Sequence, residues 1–166
     1  MGGRLQMHGH GMRKRMQRGP DAIGQPPAER IVDARRYICT KCGATVTVVP
    51  RGVVRRRLYT AWAIGLGLAL FGIQLESADA VKEAIAPEAS ARDPAEGVTW
   101  STLRRWAHEA KAGTLIVEGR ACPATFTLRQ AAERAAMTLQ ALGPRGATTL
   151  ERVWQGAPEA HWGGTS

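Results

Sequence analysis

Apolar residues are distributed along this chain in two different ways. Up to about residue 50 they fall in short alternating runs. Residues 30–38 (RIVDARRYI) predict a strand running into a cysteine turn. Ala44 to Val49, where Thr alternates with Val, predicts the strand leaving that turn, stopped by Pro50. From Leu58 onward the runs are longer and take helical spacing. Leu58 to Leu75 contains no charged residue. Ser77 is a suitable N-cap for a short helix over Ala78–Ile85, with Asp79 in its first turn and Pro87 ending it. After a loop from Glu88 to Gly97, Thr99 caps a second helix, Trp100–Lys111, closed by Gly113. In this helix Leu103, Trp106, Ala107 and Ala110 share one face. An amphipathic, alanine-rich helix follows over Thr127–Leu142. It sets Leu128, Ala131, Ala135, Leu139 and Leu142 on its buried side and is broken by Gly143-Pro144. A last short helix is expected at Thr149–Gln155.

These elements predict an α+β protein. A small N-terminal β-ribbon at 1–50 is followed by a helical domain at 53–113 and C-terminal helices at 114–155, which either pack on that domain or mediate self-association. The first 29 residues, with a Gly/Pro/Gln-rich loop from Gly19 to Pro27, are expected to be weakly ordered, and the tail at 156–166 disordered.

The uncharged run admits two readings. Its 18 residues, with Arg55-Arg56-Arg57 before them, have the length and flanking charge of a membrane span, which would make this a single-pass protein with a basic cytoplasmic N-terminus. Thr60, Gln74, Gly65, Gly67 and Gly72 place the run at the less apolar limit of such spans. A buried helix at the centre of a small helical domain is preferred, and membrane is left out of the expected partners.

Charge separates the two halves further. Residues 1–60 carry 13 Lys/Arg against 3 Asp/Glu, whereas residues 61–166 carry 10 against 11. The formal net charge of +9 therefore sits on the N-terminal third. A field so concentrated attracts polyanions, or else serves as a solvated basic arm. Aromatic residues make up only 5% of the chain, and 19 Gly and 9 Pro argue against one large, well-filled core.

The three cysteines do not form a disulfide framework; with no secretory signal they suggest a reducing, cytoplasmic setting. Cys39-Thr40-Lys41-Cys42-Gly43 has the spacing of a zinc knuckle, the glycine letting the backbone turn beneath the metal. Two thiolates are half of a tetrahedral site. His8 and His10 are the candidates to complete it, and Cys122, before Pro123, is better explained as a small half-buried residue.

The helices from Ser77 to Lys111 resemble a helix-turn-helix, although about a dozen residues separate them where three or four are usual. In that motif the second helix enters the major groove. Ser101 and Thr102 stand at its N-terminal end, and Arg104 and Arg105 are suited to guanine edges or phosphates.

Taken together, RYICTKCG at 36–43, VVP at 48–50, RRRLY at 55–59 and STLRRW at 101–106 resemble zinc-ribbon plus helix-turn-helix proteins of bacterial mobile elements. The resemblance covers about residues 1–112. It implies a metal role for Cys39 and Cys42, with zinc as the cofactor, and a DNA role for the segment from Ser101 to Arg105. Related ribbons carry their first cysteine pair just before text like Gly2-Gly3-Arg4-Leu5, so a first knuckle is expected upstream of Met1. Arg55, Arg56 and Arg57 join the candidate DNA contacts because of their charge.

No catalytic centre is expected. The four aspartates (Asp21, Asp33, Asp79, Asp93) each have a local explanation, Gly65-Leu66-Gly67 lacks the lysine of a phosphate loop, and His108 has no partner nearby in sequence. The resulting expectation is a non-enzymatic protein that binds double-stranded DNA, a transposase-derived accessory or regulatory fragment. It would take no small-molecule substrate, and homo-oligomers remain open. A degenerate reading frame without selected function is the third reading.

Overall fold

The computed structural model describes residues 6–86, 100–145 and 147–163. Three antiparallel strands come first: β1 (Met7–Gly19), β2 (Ala28–Cys39) and β3 (Thr45–Val48), in sheet order β1-β2-β3. Five α-helices follow: α1 (Ala61–Gly72), α2 (Ala78–Ile85), α3 (Ser101–Ala112), α4 (Leu128–Leu142) and α5 (Thr149–Gly156). The α+β class is as expected. Pro87, Thr99 and the loop from Glu88 to Gly97 lie outside the described residues.

The N-terminal region departs from expectation. Residues 7–19 form a strand: β1 runs for 13 residues, paired with β2 from Met7 opposite Cys39 to Gly19 opposite Ala28. Its far end is pinned to the chain entering α1. The Arg18 N–H donates to the Leu58 carbonyl (2.7 Å), and the Thr60 N–H donates to the Arg18 carbonyl (3.1 Å). The Gln17 side chain is fully buried, and its Nε2 donates to the carbonyls of Met16 and Arg57. Alternation of apolar and polar residues is weak in β1 because most of the strand is exposed. Backbone pairing, which leaves no compositional trace, holds it instead.

α1 is the central element of the helical part. Ala61, Ala63, Ile64, Leu66, Leu68 and Ala69 are all buried, against α2, α3, α4, α5 and the turn after α5. Each large apolar side chain so buried contributes roughly 1.5–3 kcal/mol. Glycines on α1 let its neighbours come close. A Cβ on Gly72 would lie 2.3 Å from the backbone nitrogen of Glu133 in α4, and one on Gly67 would lie 2.7 Å from Ile85 Cδ1 of α2. Among the described residues no helix is long and apolar enough to cross a membrane.

Capping fixes where four of the helices begin. The side chains of Thr60, Ser77, Thr127 and Thr148 each accept a backbone N–H of the first turn, and Thr127 and Thr148 form full capping boxes with Gln130 and Glu151. α3 differs: its N-cap position is Trp100, and no side chain caps it. Gly113, in the left-handed region at φ 71°, closes α3. Leu103, Trp106, Ala107 and Ala110 are buried as their spacing predicted.

α4 packs on α1, α3 and α5, so of its two expected roles the structure gives it that of a bundle helix. Leu142, expected on its buried side, is exposed. In the tail, residues 157–163 fold back on the helices. A 3-10 turn over Ala157–Glu159 buries Ala157, and Trp162 then bridges back to Ile116. Backbone bonds from Val117 to His161 (2.7 Å) and from Gly163 to Leu115 (2.9 Å) hold this return.

Candidate nucleic-acid interface

The cysteine turn lies at the end of the sheet nearest the start of β1. The Cys39 N–H donates to the Ala44 carbonyl, and the Gly43 N–H, with Gly43 at φ 71°, closes the turn on the Cys39 carbonyl at 2.9 Å. Cys39 is buried and Cys42 exposed. The Cys39 thiol is held below its ordinary pKa, first by the Cys42 backbone N–H, then by that of Lys41 and by the Cys42 side chain. The histidines do not join this pair. His8 stands opposite Ile38, and so on the face of the sheet away from Cys39 and Met7. A break in register between Gly9 and Met12 takes in His10. Among the described residues no three His, Cys, Asp or Glu side chains are grouped to hold a metal. A closed structural zinc site takes four ligands, and the described residues bring together only these two thiols.

β1 and β2 form a long, cation-rich ribbon. It carries Arg13, Lys14, Arg15, Arg18, Arg30, Arg35 and Arg36 against Glu29 and Asp33. Some of this charge is committed: Arg18 lies 2.7 Å from Glu29, Arg30 pairs with Asp21, Arg35 lies over the Tyr37 ring, and Arg15 donates to the Val54 carbonyl. Arg13 and Lys14 are exposed on the outer strand.

Where ribbon and bundle meet there is a cleft of about 460 Å³. Arg18 comes to it from β1, Arg55 to Tyr59 from the connection, Trp100, Thr102, Arg105, Trp106 and Glu109 from the start and face of α3, and Gly163 from the tail. The pairing of Arg18 with the 58–60 segment sets the first wall, and packing of Trp106 beneath α1 sets the other. Tyr59, Trp100 and Trp106 make a mutual edge-to-face trio with centroids 5.2–5.9 Å apart. Such contacts contribute about 0.5–1.5 kcal/mol each and fix the ring orientations.

The arginines of this cleft differ in freedom. Arg57 Nη2 donates to Glu109 Oε2 at 2.5 Å, and these side chains are only 10% and 13% exposed. Its Nε–H is buried and has no acceptor among the described residues. Arg56 occupies the left-handed region at φ 58°, in a turn closed by the Arg57 N–H on the Val54 carbonyl. A bulky residue there costs on the order of 1 kcal/mol. Arg55 and Arg105 are exposed and take part in no ion pair with a described residue.

Of the residues singled out from sequence, Arg55, Arg56, Arg57, Thr102 and Arg105 come together around this cleft. Ser101 is exposed one position before Thr102, and Arg104 faces a different groove, with Phe71, Ala78, Leu103, Ala107 and Leu128. α2 and α3 each pack on α1, and Val81, Ile85 and Trp106 meet over Gly67. Sequence reasoning missed Arg18, Tyr59, Trp100 and Glu109. Arg18 had a local signal in its position three residues after the last of a cationic triplet, but the pairing that brings it to the cleft spans about forty residues. No protein-family description, curated protein or solved structure matches this chain.

Proposed function

We propose that this protein binds nucleic acid, double-stranded DNA in the first instance, through the arginine cleft and the cationic ribbon beside it. The observation that carries this reading is the convergence of Arg18, Arg55, Arg56, Arg57, Thr102 and Arg105, from three separate parts of the chain, on one concave surface. Guanidinium groups are well matched to phosphate oxygens, and a ribbon of two strands is of a size to follow a groove. α3 is the helix that reaches the nucleic acid, supported from beneath by α1, as in the helix-turn-helix reading. A role as an accessory or regulatory component of a DNA-mobilising system accords with the sequence resemblance.

Zinc belongs to this proposal only with ligands beyond Cys39 and Cys42. The two thiols supply a soft, anionic half-site, and the remaining ligands come from another segment or from a second copy of the chain. Zinc content per chain, measured on purified protein before and after Cys42→Ser, tests this: loss of stoichiometric zinc in the variant supports it, and absence of zinc from the parent refutes it.

The DNA reading is tested by duplex binding as a function of salt. Displacement of counterions by several arginines predicts a steep fall in affinity between about 50 and 200 mM salt. Arg55→Ala with Arg105→Ala should flatten that slope by about two contacts, whereas Arg104→Ala, in the other groove, should change it less. Salt-insensitive binding, or an unchanged slope in the double variant, would overturn the proposal.

A further inference from the structure

We infer that the apolar side of the sheet is a self-association surface, covered by the same side of a second copy of this chain. Strand register sorts the side chains, because residues opposite each other in a ladder share a face. One side carries Arg13, Arg15, Arg30 and Arg36, and no acidic residue of the three strands lies on it. This side is turned towards the connection to α1: Arg15 donates to the Val54 carbonyl and Gln17 to that of Arg57. The other side carries Met12, Met16, Ile31, Val46 and Val48, with Tyr37 among them. The first five are 43–66% exposed. A half-covered antiparallel sheet ordinarily turns its apolar side inward. Here the arginine side faces the connection and the apolar side faces away, which marks a surface for another protein.

Charge selects the occupant. The apolar side sets Lys14, Arg18 and Arg35 against Glu29 and Asp33. Arg18 is paired with Glu29, Lys14 stands opposite Asp33, and Arg35 lies over the Tyr37 ring. This side is therefore close to neutral in a chain of formal net charge +9. An acidic partner would be drawn instead to the arginine side or the cleft, where the cations are not balanced. Two copies of so cationic a chain meet most readily across a near-neutral face. The occupant must also be a flat apolar sheet, since sheets stack face to face at about 10 Å. A second copy supplies one by identity, in a contact that closes on a two-fold axis.

Area sets the strength. β2 is 12 residues long. Strands about 4.8 Å apart, rising about 3.3 Å per residue, give the sheet roughly 450 Å² of face. Two copies then cover about 900 Å² between them, the size of a weak contact. Association should be half complete at roughly 10–100 µM.

Sedimentation velocity tests this on the full chain, freed of nucleic acid, over about 1–300 µM. The mass should rise from one chain towards two and stop there. Met16→Thr, Ile31→Thr and Val46→Thr together keep strand propensity while removing apolar surface. They should raise the half-association concentration at least about tenfold, with circular dichroism checking that the fold persists. Asp33→Lys, which makes this side cationic, should do the same. Thr47→Lys adds a cation on the opposite side of β3 and should shift it by less than about twofold. A single-chain mass throughout overturns the proposal, as does growth past two, which a two-fold contact forbids. Association unchanged in the triple variant places the contact elsewhere and overturns it too. A single-chain mass in which Met12 and Met16 resist hydrogen peroxide would assign this side to another segment of the same chain. No arm uses DNA, so failure here leaves duplex binding standing, and failure to bind duplex leaves this surface standing.

Discussion

The sheet and the helical bundle are stabilised by different means. In the bundle Ile64, Leu68, Ile85, Leu103, Trp106, Leu115, Leu139 and Val153 are fully buried, and α1 carries no charge. In the sheet the large apolar residues Met12, Met16, Ile31, Val46 and Val48 are exposed, and only Ala34, Cys39 and Gln17 of the strand residues with side chains are buried. Burial therefore accounts for the bundle, while the sheet depends on its backbone ladder and on attachment through Gln17 and Arg18 to residues 57–60. Stability is concentrated in one region and cationic surface in the other. The arginine cleft lies on the seam, with a wall from each.

The sharpest way to break this comparison is to disturb one residue in each region. Gly72→Ala pushes a Cβ into the α4 backbone at 2.3–2.8 Å, where no side chain can move aside. It should cost about 3 kcal/mol or more in urea unfolding followed at 222 nm. Ile31→Thr, at a residue 66% exposed, should cost less than about 0.5 kcal/mol. Similar losses would mean that the sheet has a core of its own.

The seam comes next. Glu109→Ala leaves the Arg57 guanidinium without its ion-pair partner, an expected loss of about 2 kcal/mol once partial exposure is allowed for. The same change removes the carboxylate from the cleft, so polyanion binding should tighten while stability falls. Adding Arg57→Met to Glu109→Ala should restore much of the stability and reverse the gain in binding. Parallel loss of both in the single variant would mean that Glu109 shapes the cleft rather than opposing its charge.

A smaller effect is expected at the end of α1. Leu75 is 67% exposed and left-handed at φ 62°, and the Glu76 N–H reaches back to the Leu70 carbonyl at 3.0 Å. This is a helix stop of the kind that glycine usually occupies. Leu75→Gly should therefore stabilise the bundle by about 0.5 kcal/mol, read as a rise in urea midpoint at unchanged m-value. A loss would show that the leucine contributes packing despite its exposure.

What could be read from sequence follows the same division. The helices were legible because burial imposes a period: Leu103, Trp106, Ala107 and Ala110 marked the inner face of α3, and Ser77, Thr127 and the Thr149 region located the helix starts. β1 was not legible, because an exposed strand held by pairing need not alternate, and its partner β2 lies beyond a Pro-rich loop. The tail was missed for a related reason, since Trp162 returns to Ile116 across some forty-five residues. Within the site, the Arg55–Arg57 triplet and Arg105 could be found by charge. Their meeting with Arg18, and the exclusion of Arg104, required the fold. The pairing of the cysteines was legible as spacing, whereas the separation of His8 from them depends on strand register.

That tail supplies the smallest prediction and a last check on the two regions. The Glu118 carboxylate accepts the His161 backbone N–H and lies 2.5 Å from His161 Nδ1, holding the C-terminal return against Val117. Burial alone would raise its pKa, but the His161 ring, with backbone N–H bonds, outweighs this and holds it below the usual carboxylate value. A carboxylate depressed in the folded state contributes stability that is complete above the unfolded pKa and lost as pH falls through the folded one. Glu151 is lowered too, by the Thr148 backbone N–H and then its hydroxyl, so a global melting curve would mix the two. Amide exchange separates them. As pH falls below about 4.5, the ordinary range for glutamate, intrinsic-rate-corrected protection of the Val117 amide, which bonds the His161 carbonyl, should drop. Glu118→Gln should abolish that step while leaving the capped start of α5 unchanged. The β1–β2 amides supply the contrast, because their ladder bonds run from N–H to carbonyl, with the carboxylates Glu29 and Asp33 beside the ladder and Glu29 paired with Arg18. If their protection fell in step with that of Val117, the ribbon and the bundle would open as one cooperative unit, and the division drawn between them would fail.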